Sequence, residues 1–194
     1  MNKKRSAVFL DRDGTLIEDI GYLKDEKDLK LIEGASESIR NLNKHNIPAI
    51  LVTNQSGVAR GYFTEDTVKH INQALSSMLK QDNAYLDGIY YCPHHIKGSV
   101  EKYTKVCSCR KPNPGLIQQA VEDFKDMDIS KSYVIGDKAI DIELARNAGC
   151  KGILVKTGYG SKVIDGTYDR FIKPDYIAQD INDAVNWILQ DLNL

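Results

Sequence analysis

The stretch VFLDRDGTLIED, residues 8–19, joins a short apolar run to a dense group of charges. Asp11 and Asp13 follow the run directly, and Gly14 lets the chain turn sharply just beyond them. On an extended backbone, alternation places both carboxylates on the same side. A single carboxylate at a strand end is commonly a turn former or a helix cap, so the interpretation of the pair depends on the rest of the chain.

Two carboxylates this close repel each other, and one of them stays protonated unless a cation lies between them. Mg²⁺ relieves this repulsion, and it prefers oxygen ligands. A third carboxylate, Asp137, follows a later apolar run. We therefore expect a magnesium site formed by Asp11, Asp13 and Asp137.

Composition and charge exclude several classes of partner. The 194 residues are 42% hydrophobic and 27% charged with a net charge of −1, so no basic surface favours nucleic acid or an anionic membrane. No apolar run reaches the roughly 18 residues of a membrane span. The basic start Met1–Arg5 is followed by about five apolar residues, too few for a signal peptide. We expect a cytoplasmic monomer with four reduced cysteines that acts on a small molecule.

Apolar runs alternate along the chain with segments of helical periodicity. Strands are predicted at residues 6–10, 48–53, 88–92, 132–136 and 152–156, with a short edge strand at 171–174. Helices are predicted at residues 35–45, 64–79, 114–125 and 181–192, and through Ile140 to Gly149. Continuous apolar strands favour an α/β fold, a doubly wound parallel sheet of Rossmann type with helices on both faces. No long insertion follows the first or second strand, so residues 1–194 should form one domain without a separate cap domain.

The polar residues that follow these strands fit phosphoryl transfer through an aspartyl-phosphate, because ligands of such sheets bind beyond the carboxyl ends of the strands. Asp11 is the expected nucleophile. Asp13 is the expected acid that protonates the leaving oxygen, and then the base that activates water. Thr53 and Asn54 are expected to donate hydrogen bonds to the phosphoryl oxygens, to which Lys111 supplies a cation.

Four ordered motifs make the chain resemble the haloacid dehalogenase superfamily: Asp11-x-Asp13-Gly-Thr-Leu, Thr53-Asn54, Lys111, and Gly136-Asp137-x₃-Asp141. The resemblance spans about residues 6–160 and implies that superfamily's fold, its aspartate nucleophile and acid/base, and Mg²⁺. Asp141 is expected either to lie behind the metal ligands or to cap a surface helix. Lys138 is expected either to contact the phosphate or a metal-bound water, or to form a surface salt bridge.

A second signal lies in YYCPHHIKGSVEKYTKVCSCRKPNPG, residues 90–115. Cys92-x-His94 and Cys107-x-Cys109, separated by 12 residues, offer three thiolates and one imidazole, a set that suits structural Zn²⁺ within a loop at 92–109. The alternatives are that His95 is the ligand, or that the two pairs are accidental. A zinc ion here would fix the two cations that directly follow, Arg110 and Lys111.

Two zinc-loop groups of the superfamily are relevant, the D-glycero-D-manno-heptose 1,7-bisphosphate 7-phosphatases and histidinol-phosphate phosphatase. The chain resembles the first group more, in the stretches Gly21-Tyr22, Val52–Gly57, Ala59–Gly61, Asp87–His95, Cys107–Pro112 and Gly136–Lys138. The resemblance implies a sugar bisphosphate as the substrate. The residues expected to bind it are Asp19, Ile20, Gly21, Tyr22, Thr53, Asn54, Gln55, Ser56, Arg110, Lys111 and Lys138.

Alternatives remain open for residues and for function. The guanidinium of Arg110 suits a second phosphate, whereas Tyr22 is either a substrate contact or a packed loop aromatic. The alternative functions are a histidinol-phosphate phosphatase and a non-catalytic zinc-loop binding module. A nucleic-acid end phosphatase is disfavoured because the net charge is near neutral.

Overall fold

The computed structural model describes residues 4–194, so Met1–Lys3, part of the basic start considered above, lie outside the described residues. The strands are β1 (Val8–Leu10), β2 (Ala49–Asn54), β3 (Gly88–Cys92), β4 (Tyr133–Gly136), β5 (Lys151–Val155) and β6 (Tyr176–Ala178). The helices are α1 (Ala35–Lys44), α2 (Glu65–Gln81), α3 (Gly115–Asp123), α4 (Ala139–Ala148), α5 (Gly160–Ile164) and α6 (Ile181–Asp191).

The six strands form one parallel sheet in the order β3-β2-β1-β4-β5-β6. The central strand β1 is buried throughout, and its side chains alternate between two apolar layers. Val8 and Leu10 belong to a layer with residues of α1, α2 and α6, whereas Phe9 belongs to a layer with residues of α3 and α4. The predicted doubly wound fold is therefore confirmed.

The predicted edge strand at 171–174 is wrong. Those residues form no strand, and β6 begins two residues after Pro174 and pairs with β5. Proline has no N–H group to donate to a ladder, and pairing starts only beyond it. There, Asp175 N donates to Gly152 O, and Gly152 N donates to Asp175 Oδ2 at 2.7 Å.

The strand order changes direction at β1, because the chain adds β2 and β3 on one side and β4 to β6 on the other. The loops that leave β1, β2 and β4 consequently meet at one edge of the sheet, where this fold class binds its ligands. None of the helices within residues 4–194 has the length and apolarity required to cross a membrane.

Candidate active site

The centre of the site is a buried ion pair that joins three parts of the chain. Lys111 Nζ lies 2.9 Å from Asp11 Oδ1, after β1, and 2.7 Å from Asp141 Oδ1, in the first turn of α4. Lys111 is only 2% exposed. Burial alone would raise the pKa of Asp11, but the charges of Lys111 and Lys138 outweigh burial and leave that pKa lowered. The ion pair with Lys111 therefore favours the anionic form of Asp11, the form that a nucleophile requires.

Three carboxylates converge beside this lysine. One oxygen each of Asp11, Asp137 and Asp141 lies within 4.8 Å of the others. Asp137 is fully buried, its Oδ1 has no hydrogen-bond partner among the described residues, and burial raises its pKa to about 7. A buried carboxylate oxygen without a donor is costly unless a cation meets it, and Lys138 Nζ, at 3.7 Å, is too far away to donate a hydrogen bond. This carboxylate trio therefore fits Mg²⁺, whose preferred ligands are oxygens.

Two glycines make room for the Asp137 carboxylate. A Cβ atom at Gly14 or at Gly158 would lie 2.2 Å from Asp137 Oδ2, and both residues have a positive φ, of +83° and +54°. The same Oδ2 accepts a hydrogen bond of 2.8 Å from Tyr159 N. The turn after β5 therefore closes around Asp137 and holds one of its oxygens.

The Asp13 carboxylate does not join the trio, contrary to the predicted ligand set. The strand ends at Leu10 and the chain bends at Arg12, so the alternation assumed for an extended backbone does not apply. Asp13 instead accepts hydrogen bonds from Arg12 Nη2 at 3.2 Å and from Gln55 Nε2 at 3.0 Å. Asp141 takes the third place in the trio, where its Oδ1 also accepts from Lys111 Nζ and its Oδ2 from Lys138 N.

Arg12 is a buried cation that the sequence analysis assigned no role. It is 2% exposed, and its Nη1 donates to Asn72 Oδ1 on α2 at 3.0 Å. Because Arg12 is fixed by α2 and contacts Asp13, it orients the Asp13 carboxylate at the edge of the cleft.

Asn54 makes side-chain contacts that the sequence did not indicate. Its Nδ2 donates to Lys111 O at 3.2 Å, and its Oδ1 accepts from Lys111 N at 3.0 Å. The side chain therefore binds the backbone of Lys111 on both sides and positions that cation. The neighbouring Thr53 is buried, and its Oγ1 accepts a hydrogen bond from Gln55 Nε2.

These groups open into a cleft of about 430 Å³. It is lined by the following predicted residues: Asp11, Asp13, Asp19, Gly21, Tyr22, Thr53, Asn54, Gln55, Ser56, Arg110, Lys111 and Lys138. Ile20 is exposed and is not among the lining residues. Asp137 is buried and likewise does not line the cleft.

Lys138 lines this cleft and forms a partly buried salt bridge there. Its Nζ lies 2.9 Å from Asp19 Oδ2 and 3.7 Å from Asp137 Oδ1.

Tyr22 fits both of its predicted interpretations, because it lines the cleft and also packs edge-on against Tyr62, with ring centroids 4.6 Å apart.

The four residues predicted as zinc ligands are adjacent in space. The Cys/His cluster has Sγ–Sγ distances of 3.1 Å (Cys92–Cys109), 3.3 Å (Cys107–Cys109) and 3.5 Å (Cys92–Cys107), and His94 Nδ1 lies 3.4 Å from Cys109 Sγ. A tetrahedral zinc with Zn–S bonds of about 2.3 Å separates its sulfurs by roughly 3.8 Å, so the set fits zinc after a small expansion.

His95 points away from this cluster. Its Nδ1 accepts a hydrogen bond from Lys97 N, and its Nε2 lies 3.2 Å from Arg60 Nη2. The chain that leaves the cluster leads directly to Arg110, whose Nη1 donates to His94 O at 3.1 Å. The Cys/His cluster therefore holds the backbone from which the side chains of Arg110 and Lys111 reach the cleft.

Comparison with known proteins assigns the family. Residues 8–112 match the family model described as haloacid dehalogenase-like hydrolase, and residues 108–184 match a model described as HAD-hydrolase-like. The chain belongs to the haloacid dehalogenase-like hydrolases. The resemblance noted in the sequence is thus confirmed, and the chain is a hydrolase.

Relatives of this hydrolase align with it over nearly their whole length. The D-glycero-D-manno-heptose-1,7-bisphosphate 7-phosphatase of Thermosynechococcus vestitus is 45% identical, with 97% of each chain covered. The D-glycero-beta-D-manno-heptose-1,7-bisphosphate 7-phosphatase of Escherichia coli K12 is 40% identical, covering 99% of this chain and 92% of that protein. A solved structure of D,D-heptose 1,7-bisphosphate phosphatase from B. bronchiseptica, complexed with magnesium and phosphate, is 29% identical with a TM-score of 0.83. It covers 96% of this chain and 99% of that chain.

The hydrolase also places residues in the cleft that the sequence analysis missed. These are Gly57, Ile140, Tyr159, Tyr168 and Asp169. The last three follow β5, in a segment with no ordered motif of its own. The one signal was Gly158, a glycine just beyond an apolar run, where a sharp turn is favoured.

We predict that Gly158→Ala lowers the affinity for Mg²⁺ by about tenfold or more, because the added Cβ displaces Asp137 Oδ2. Titration calorimetry with MgCl₂ measures this directly. The matched control is Gly166→Ala. Gly166 also has a positive φ (+75°), but a Cβ added there would have no atom within 4 Å. Equal Mg²⁺ affinities for the two variants would contradict the role given to this turn.

Proposed function

We propose that this hydrolase is a magnesium-dependent phosphatase that removes the 7-phosphate of D-glycero-D-manno-heptose 1,7-bisphosphate. The observation that carries the proposal is the contact of the buried Lys111 ammonium with Asp11, a member of the carboxylate trio. The names of the relatives supply the substrate, since proteins of 40–45% identity over nearly the full chain carry this activity in their names.

In the first step, Asp11 attacks the phosphorus atom and the bond from phosphorus to the sugar oxygen breaks. Asp11 Oδ1 accepts from Lys111 Nζ and from Arg12 N at 2.7 Å, which leaves Oδ2 as the oxygen that we assign to the attack. Asp13 donates its proton to the departing sugar oxygen. When bound, Mg²⁺ would be held by Asp11, Asp137 and Asp141 and would supply positive charge that offsets the repulsion between the nucleophile and the phosphate.

In the second step, water hydrolyses the aspartyl-phosphate. Asp13, now a carboxylate, accepts a proton from the water as it attacks phosphorus, and the Asp11 carboxylate is released with inorganic phosphate. Arg12 and Gln55 hold Asp13 in place through both steps. Lys111 and Thr53 stabilise the charge on the phosphoryl oxygens.

The second phosphate of the substrate supports a role for Arg110. Its guanidinium lines the cleft and is anchored on His94 O. A guanidinium pairs well with a phosphate dianion. The four cysteines are not joined by disulfides, which supports a cytoplasmic location.

We predict that Asp11→Asn lowers kcat for phosphate release from the heptose bisphosphate by about 10⁴-fold or more, because an amide is not a nucleophile. Asp25→Asn, at an exposed aspartate of the β1–α1 connection, is the matched control and should keep full activity. Both anomers of the substrate should be assayed. Undiminished phosphate release by Asp11→Asn would contradict the mechanism.

The substrate itself is tested by comparing kcat/KM values. We expect the heptose bisphosphate to be preferred over histidinol phosphate and fructose 1,6-bisphosphate. A preference for histidinol phosphate would replace the proposed substrate while keeping the mechanism. Metal-loaded protein that hydrolyses none of the three would favour the binding-module alternative.

We also propose that the Cys/His cluster binds Zn²⁺ and thereby fixes Arg110 and Lys111. We predict that the wild-type protein binds about one zinc ion per chain. The substitution Cys107→Ala should lower this zinc content and raise KM for the bisphosphate. Cys150→Ala is the matched control, because Cys150 lies outside the cluster and burial raises the pKa of its thiol to about 12. Elemental analysis that finds equal zinc in the two variants would exclude this site.

A further inference from the structure

One wall of the cleft is aromatic, and the phosphoryl-transfer mechanism does not use it. Tyr159 and Tyr168, from the segment that follows β5, both line the cleft. Their rings are stacked, with centroids 4.0 Å apart and an interplanar angle of 26°. Tyr168 remains 47% exposed, so the ring of this residue offers apolar surface to whatever occupies the cleft.

The aromatic wall is tied directly to the catalytic centre. Tyr159 N donates to Asp137 Oδ2, and Lys138 Nζ lies 4.9 Å from the centroid of the Tyr159 ring. Lys138 is in turn paired with Asp19. The ring of Tyr159 is therefore fixed relative to the carboxylate trio, and Tyr168 stacks on a fixed support. The distance between this aromatic surface and the reacting phosphate is therefore fixed.

The charges of the cleft indicate which part of the substrate meets this wall. Asp169 lines the cleft beside Tyr168 and shares the cation of Arg170 with Glu143, so these two carboxylates leave a net negative charge that repels a phosphate. The charge of Lys138 on this side is already matched by Asp19 and Asp137. Arg110 offers its cation from the Cys/His loop. The second phosphate of the substrate is thus favoured near Arg110. The aromatic wall is left for an uncharged part of the substrate, whose hydroxyl groups can donate hydrogen bonds to Asp169.

We propose that the stacked pair of Tyr159 and Tyr168 is a platform for the ring of the substrate's sugar, and that Tyr168 determines specificity for ring-bearing sugar phosphates. One face of a pyranose ring carries C–H bonds that form an apolar surface, which packs on an aromatic face while the hydroxyls reach polar groups at its rim. This inference rests on the proposed function and deepens it, because it assigns a subsite to the part of the substrate between the two phosphates.

The experiment compares two substrates in kinetic assays of Tyr168→Ala, Tyr168→Phe and the wild-type chain. The substrates are the heptose bisphosphate and acetyl phosphate, which has no ring. We expect Tyr168→Ala to raise KM about tenfold more for the bisphosphate than for acetyl phosphate, with a smaller change in kcat. Tyr168→Phe keeps the ring and should restore most of the affinity.

The matched control is Tyr85→Ala, at a tyrosine that is 54% exposed, lies between α2 and β3, and does not line the cleft. It should not change either KM. Circular dichroism and melting temperature report whether each variant is folded. Equal KM changes for the two substrates in Tyr168→Ala, or a Tyr168→Phe variant as weak as Tyr168→Ala, would overturn the platform. Wild-type chain that hydrolyses acetyl phosphate but not the bisphosphate would instead overturn the proposed function.

Discussion

The buried contact of Lys111 with Asp11 and Asp141 is the constraint on which the site depends. A buried ammonium is stable only with its carboxylate partners in place, and removing one partner of such a pair costs roughly 3–5 kcal/mol. The two carboxylates come from different parts of the sheet, after β1 and at the start of α4. The pair therefore forms only when β1 and β4 are neighbours, as they are in this sheet.

The rest of the site keeps these charges at fixed positions. Asn54 binds the Lys111 backbone on both sides, and the Cys/His cluster ends directly before Arg110. On the other side, Gly14 and Gly158 leave just enough room for the Asp137 carboxylate. Preorganised charge of this kind is what phosphoryl transfer requires, because the protein contributes position and electrostatic stabilisation.

Much of this arrangement was predictable from sequence, and the errors have physical causes. The central strands are continuous apolar runs, so the sheet was evident, and the cluster of Cys92, His94, Cys107 and Cys109 followed from ligand spacing. The Asp13 carboxylate was expected among the metal ligands, but it lies outside the trio because a bend at Arg12 replaced the assumed extended backbone. Tertiary contacts determine the rest: no local pattern indicates that Asn54 binds the Lys111 backbone, or that Tyr159 reaches Asp137.

The central claim is that Asp11 becomes covalently phosphorylated. The most direct measurement is a crystal structure of the chain with Mg²⁺ and beryllium fluoride, which mimics an acyl-phosphate on a carboxylate. We predict that beryllium is bonded to Asp11 Oδ2, that its fluorides lie near Lys111 and Thr53, and that Mg²⁺ lies against the carboxylate trio. Beryllium fluoride bonded to any other residue, or Mg²⁺ bound away from the trio, would contradict it.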